Sequence, residues 1–197
     1  VSDLLQEINE GKSFVHHVGH ANSNYTMGLY NSDITNSNFS QVNGVINNYT
    51  LAFSHGCICG AFDDNDCIAE RMINIENFAA AVLMNSRYGW FNEGQTEGPA
   101  AHLHRELCDA LYDKKESIIG MAYSITRIET APWVNAPGQW EEGALRWNFY
   151  DCNVLGDAGL RVWTDEVSTI SANYQNALPI GVPSISITIS GNGVIEG

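Results

Sequence analysis

Tyr49-Thr50-Leu51-Ala52-Phe53-Ser54-His55-Gly56-Cys57-Ile58-Cys59-Gly60 is a short apolar strand that stops abruptly in a turn of small and reactive residues. The run 49–54 has the length and apolarity of a buried strand. Upstream, Ser13 to Val18 is rich in Phe, Val and His and reads as a second strand, ending in Val18-Gly19-His20-Ala21-Asn22. Downstream, Phe78 to Met84 is apolar without interruption, as strands covered on both faces tend to be. Helices frame these strands. Ser2 to Glu10 places Leu4, Leu5 and Ile8 on one face before Gly11, and Pro99 opens a helix through Asp113 with Leu103, Leu107 and Leu111 four apart. Ser117 to Ile128 reads as another helix, while the Asn-rich stretch Ala21 to Asn48 reads as loops and short elements over the surface. The order helix, strand, loop, strand, helix, strand, helix predicts a layered α/β domain with a mostly parallel sheet. Trp133 to Trp147 is rich in Trp, Pro and Gly, and Ser184 to Ser190 alternates Ile with Ser or Thr like a half-exposed strand.

Composition narrows the function. The chain has 197 residues, 44% of them hydrophobic, with 23 Asp and Glu against 9 Lys and Arg, a net charge of −14. That is enough apolar material for a real core, which excludes general disorder. Nine basic residues do not make a phosphate-binding surface, so nucleic acid and anionic membranes are poor partners. The longest apolar run, Phe78 to Met84, is far below the roughly 20 residues of a membrane span. The chain starts at Val1 with no basic-then-apolar leader, and so reads as a processed or excised piece of a longer protein. Five cysteines, an odd number, leave at least one thiol free.

Sites in open α/β sheets form beyond the carboxyl ends of the strands. If the first two strands are neighbours, His20 and Cys57 meet at one rim. An imidazole there can take the thiol proton, and flanking glycines let backbone N–H groups approach a tetrahedral oxyanion. A His turn closing one strand and a Cys closing the next resembles the dyad of caspase-like cysteine peptidases. Within that clan, Cys57-Ile58-Cys59-Gly60-Ala61-Phe62, Cys67-Ile68-Ala69-Glu70, the strand Ala80 to Asn85 running into Trp90, and Leu155-Gly156-Asp157 resemble the gingipain family of bacterial peptidases. The resemblance covers Leu4 to Thr164. It implies a caspase-like three-layer fold, incomplete at its N-terminus, for residues 1–165. Residues 166–197 would be a linker and the first strand of a following β-sandwich-like domain.

The resemblance also implies roles: Cys57 as nucleophile, His20 as general acid/base, and the N–H groups of Cys57 and Ala21 as the oxyanion hole. Trp90, Asn85 and Ser86 would line the pocket for the side chain before the scissile bond, with Arg or Lys preferred. Two positions depart from the family, which usually has Gly after the His and often Ala before the Cys; here Ala21 and Gly56 stand there. If the backbone after His20 needs positive φ, Ala21 carries a penalty of ~1 kcal/mol.

Other residues compete for chemistry. Cys59 could face the same side as Cys57, and His55 stands two residues before it, although inside the strand. His16 and His17 read as strand residues, one on each face. Cys57, Cys59 and Cys67 lack the paired spacing of a zinc knuckle. Of His102, His104 and Cys108, only the last two share a helix face, and packing is their simpler role. Asp63, Asp64, Asn65, Asp66 and Glu70 form the densest oxygen cluster; their spacing is not that of an EF-hand, but the calcium binding that the family resemblance implies makes Asp63, Asp66 and Glu70 the candidate structural calcium site. No cofactor is required for catalysis. Sequons at Asn24, Asn38 and Asn48 matter only in a eukaryotic secretory pathway.

The expected protein is a cysteine endopeptidase acting on peptides or proteins through a thioester, secreted, periplasmic or on a bacterial surface. An N-terminal part of the same precursor is its expected partner. The alternatives are a catalytically inactive binding module with the same fold, and an acyltransferase using the same thioester.

Overall fold

A computed structural model of the chain describes residues 1–137, 141–165, 170–175, 177, 180–181 and 184–191. In chain order the elements are α1 (Ser2–Asn9), β1 (Phe14–His17), β2 (Tyr25–Thr26), β3 (Leu29–Tyr30), β4 (Thr50–Ser54), α2 (Ile68–Asn74), β5 (Ala79–Asn85), α3 (Pro99–Cys108), α4 (Ile119–Thr130), α5 (Ala144–Asp151), β6 (Cys152–Gly156), β7 (Ile170–Asn173) and β8 (Thr188–Gly191). Two compact units contain them, Val1–Thr164 and Asp165–Gly197. In the second, β7 and β8 form an antiparallel pair in which Ser171 faces Ser190.

The first unit is built on a four-stranded sheet of order β1-β4-β5-β6. β1, β4 and β5 are parallel, and β6 runs antiparallel along β5. Alternation along the buried strands sorts side chains onto two faces. Ala52, Val82 and Met84 pack with Ile8 of α1, with Ile68 and Met72 of α2, and with Cys59 and Cys67. Leu51, Phe53, Ala81 and Leu83 pack instead with Leu103 and Leu107 of α3, Ala122 and Tyr123 of α4 and Leu145 of α5. Two helical layers thus enclose a mostly parallel sheet, the three-layer α/β architecture expected from the strand and helix order.

Three features differ from that expectation. The Asn-rich stretch is not confined to the surface: Leu29, Ile34, Phe39 and Val42 are fully buried. Phe39 stacks on Phe78 with ring centroids 4.1 Å apart, so apolar residues without helical or strand periodicity still build core. The helix opened by Pro99 is α-helical only to Cys108 and continues as a π-helical turn over Asp109–Asp113. The Trp-, Pro- and Gly-rich stretch runs into α5, whose mixed faces hide its periodicity, and β6 then adds the antiparallel edge.

Where α5 meets β6, the backbone carbonyl of Asp151 accepts hydrogen bonds from the N–H of Ser86 at 2.8 Å and from its hydroxyl at 3.1 Å. The Asp151 carboxylate itself is buried and Oδ2 has no partner. Burial pushes its pKa up from 3.8 to about 7, against the opposing hydrogen bond from Asn148 and the Arg87 charge. Below the unfolded value the group is protonated in both states. As pH rises between the unfolded value and about 7, the unfolded chain sheds the proton first, and the fold loses stability. Asp151→Asn therefore raises the unfolding midpoint at pH 8 by several degrees and changes it little at pH 4, as thermal unfolding followed by circular dichroism will show.

Candidate active site

The parallel register places the ends of β1 and β4 side by side, with His17 opposite Ser54. The Ser54 hydroxyl knits them together. It lies 2.9 Å from His17 Nδ1 and 2.9 Å from the Thr26 hydroxyl, and it accepts the Gly56 N–H at 3.1 Å. Beyond this point the chains diverge into the two loops that carry His20 and Cys57. They approach so closely that a Cβ added at Gly56 would lie 2.2 Å from the Ala21 Cβ.

β5 fixes the Cys57 turn from the other side. Asn85, 2% exposed, donates from Nδ2 to the carbonyls of both His55 and Gly56 at 3.1 Å. The Asn85 carbonyl accepts the Gly60 N–H at 2.9 Å, and the Arg87 carbonyl accepts the Ile58 N–H at 2.6 Å. Ile58 is held at φ +50°, in the left-handed region that a β-branched residue seldom enters. Ala21 is not among the positive-φ residues, so the penalty anticipated after His20 falls on the residue after Cys57 instead.

His20 and Cys57 face a common cleft of about 490 Å³, lined also by His55, Trp90, Phe91 and Glu97. A second cavity of about 360 Å³ adjoins it and is walled by Cys57, Tyr88, Gly89, Trp90, Phe91 and Glu141. Cys57, Gly89, Trp90 and Phe91 are common to both. Cys57 is partly exposed, with Sγ 3.8 Å from the Gly89 carbonyl. The Trp90 backbone is held on both sides: its N–H donates to Asn148 Oδ1 at 3.3 Å, and its carbonyl accepts the Ala100 N–H at 3.0 Å. Asn148 also donates to the Tyr88 carbonyl at 3.1 Å.

The structure thus brings His20, Cys57 and Trp90 together. Asn85 and Ser86, expected on the pocket wall, lie behind it, Asn85 under the Cys57 turn and Ser86 on the Asp151 carbonyl. Cys59 is fully buried, its thiol donates to the Gly56 carbonyl, and burial pushes its pKa up to about 11. The oxygen cluster does not converge: Asp63 forms a two-point pair with Arg87, and Glu70 accepts the Cys67 N–H at the start of α2. Asp63, Asp66 and Glu70 do not bring their carboxylates together as a three-ligand group among the described residues. Glu141, Tyr88, Phe91 and Asn148 went unread in the sequence. An acid in an irregular stretch and an Asn inside a helix carry no local pattern.

Comparison with known proteins bears on the fold and the family. No curated protein sequence matches the chain. Among solved structures, the fold is similar to that of the Arg-specific cysteine proteinase gingipain R, with a TM-score of 0.63 at 16% identity over 87% of this chain. A structure described only as a protease is similar with a TM-score of 0.53, at 19% identity over 94% of this chain. The chain spans 38% and 43% of those two proteins. No helix among the described residues is long and apolar enough to cross a membrane. Residues 1–163 match the sequence pattern of peptidase family C25, and the chain belongs to that family.

Proposed function

We propose that this chain carries the catalytic dyad of a cysteine endopeptidase, with Cys57 as nucleophile and His20 as general acid/base. The observation behind this reading is the shared cleft: of the five thiols, Cys57 is the one that meets a solvent-facing imidazole in a cavity sized for a peptide. His20 takes the Cys57 proton, and the thiolate attacks the peptide carbonyl. The amine leaves with a proton from His20, and water then cleaves the thioester. The N–H groups of Cys57 and Ala21, which have no acceptor among the described residues, would supply the oxyanion hole. Calcium has no step in this scheme.

The second cavity is the proposed site for the side chain preceding the scissile bond. Its aromatic walls suit the methylene stem of Arg or Lys, and Glu141 supplies the opposite charge. Glu97, on the cleft itself, is already paired with Arg105. Among the described residues β1 pairs only with β4. An N-terminal portion of the parent protein would add its strands along that edge. An exported or surface location is the family-based part of this proposal.

The two departures from the family pattern become one. The methyl that the family often carries before the nucleophile is here carried by Ala21, in the space a Gly56 side chain would need. One methyl fits between the loops, and this chain contributes it from the His side.

Three outcomes test the reading. Cys57→Ala abolishes peptide hydrolysis and labelling by a peptidyl covalent inhibitor, whereas Cys59→Ala keeps both; the reverse pattern in peptide mapping by mass spectrometry contradicts the assignment. Glu141→Gln lowers kcat/KM for Arg and Lys substrates by about tenfold or more while sparing apolar ones, and equal losses on both would remove Glu141 from specificity. Gly56→Ala alone lowers activity sharply, and adding Ala21→Gly restores it. Additive effects in that double-mutant cycle would show the methyl exchange to be irrelevant.

A further inference from the structure

Three imidazoles that the dyad leaves unused converge beneath the carboxyl end of the sheet. His16 sits on β1, His55 follows β4 and His104 lies on α3. Each offers a ring nitrogen, and the three nitrogens lie within 4.8 Å of one another. His16 Nε2 and His55 Nε2 are 2.9 Å apart, so the pair shares one N–H between two rings. His104 stacks on His16 with centroids 3.3 Å apart and planes 6° from parallel, and its Nε2 lies 3.2 Å from Cys108 Sγ.

These rings are not held as structural histidines usually are. Among the described residues, no carbonyl or carboxylate accepts a hydrogen bond from any of the three. Phe14 and Phe53 stack against the group instead. Burial, followed for His16 and His55 by the proximity of the other rings, drives pKa down to about 3 for His16 and about 4 for His55; burial alone takes His104 to about 4. Neutral imidazole is the form that ligates a metal.

We propose that His16, His55 and His104 form a binding site for a divalent transition metal of the Zn²⁺ class, and that its occupation inhibits the adjacent cysteine. Nitrogen donors with a thiol close by select this class over calcium or magnesium, which require oxygen. Two parallel rings cannot both direct in-plane lone pairs at one ion. Binding must swing His104 off His16 and draw the nitrogens to bonding distances of roughly 2.0–2.1 Å from the metal. His55 stands two residues before Cys57, lines the same cleft and has its carbonyl fixed by Asn85. Drawing its ring toward β1 and α3 therefore displaces the Cys57 turn. The net charge of −14 raises the local concentration of cations. The inhibitory half of this inference rests on the peptidase reading; the binding half does not.

The test uses the full chain and Co²⁺ as a spectroscopic probe, with Zn²⁺ as competitor. Wild type binds one Co²⁺ with the visible bands of a low-coordinate nitrogen site, and Zn²⁺ displaces it. His16→Ala and His104→Phe weaken binding by about 100-fold or more, since loss of a ligand costs at least what loss of its supporting partner does. The Phe variant keeps the aromatic stack, so its loss of metal is not a loss of fold. Cys57→Ala and His20→Ala bind as wild type does. Absence of stoichiometric binding overturns the site, as does loss of binding in Cys57→Ala or His20→Ala, which would put the metal on the dyad. Zn²⁺ slows alkylation of Cys57 by iodoacetamide in wild type and not in His104→Phe; equal rates in both overturn the inhibitory link. The cobalt spectrum reads the site whether or not Cys57 is catalytic, so the two proposals fail separately.

Discussion

The site depends on how closely two strand ends approach. β1 and β4 run parallel in register up to His17 and Ser54, and the loops that leave them pass with room for a single methyl between Gly56 and Ala21. That packing, with the buried Ser54 hydroxyl, sets the separation of His20 and Cys57 before either side chain is considered. A backbone approach of this kind requires glycine on one side, and either partner can supply it. This explains why a chain can depart from its family at two positions flanking the proposed dyad and still keep the rim closed.

The second constraint is the hold of β5 on the Cys57 turn. Ile58 in the left-handed region costs on the order of 1–3 kcal/mol, which a free loop would relieve. It persists because the Arg87 carbonyl takes the Ile58 N–H and Asn85 ties down the two carbonyls before Cys57. Asn85 is thus a positioning residue. Its two donor hydrogens are spent on backbone, leaving none for a substrate. The Trp90 loop is anchored in the same manner through Asn148, so both cavity walls are fixed by buried amides. Rigid support of this type suits a nucleophile that must meet an incoming carbonyl without rearranging.

Much of this was legible in the sequence, and the physical reason differs by element. Strands β1, β4 and β5 are buried, so their apolar runs stand out, and the rule that sites lie past parallel strand ends leads directly to His20 and Cys57. The core under the Asn-rich segment was hidden, because Leu29, Ile34, Phe39 and Val42 reach it from turns with no repeating period. β6 was missed because an antiparallel edge strand following a helix without a loop has no punctuation. Asn85 lies under the Cys57 turn, and proximity to Trp90 in sequence says nothing of which face of a strand end a side chain occupies. The convergence of His16, His55 and His104 spans three elements and is visible only after folding.

The central claim is that Cys57 forms a covalent acyl intermediate with help from His20. Acid-quenched mass spectrometry of the chain mixed with an activated Arg ester measures this directly, ahead of any turnover assay. The account predicts an acyl group of the substrate's mass on the peptide containing Cys57, absent in His20→Ala and released by hydroxylamine. An acyl group on Cys59, Cys108 or a serine, or equal acylation with and without His20, would contradict it.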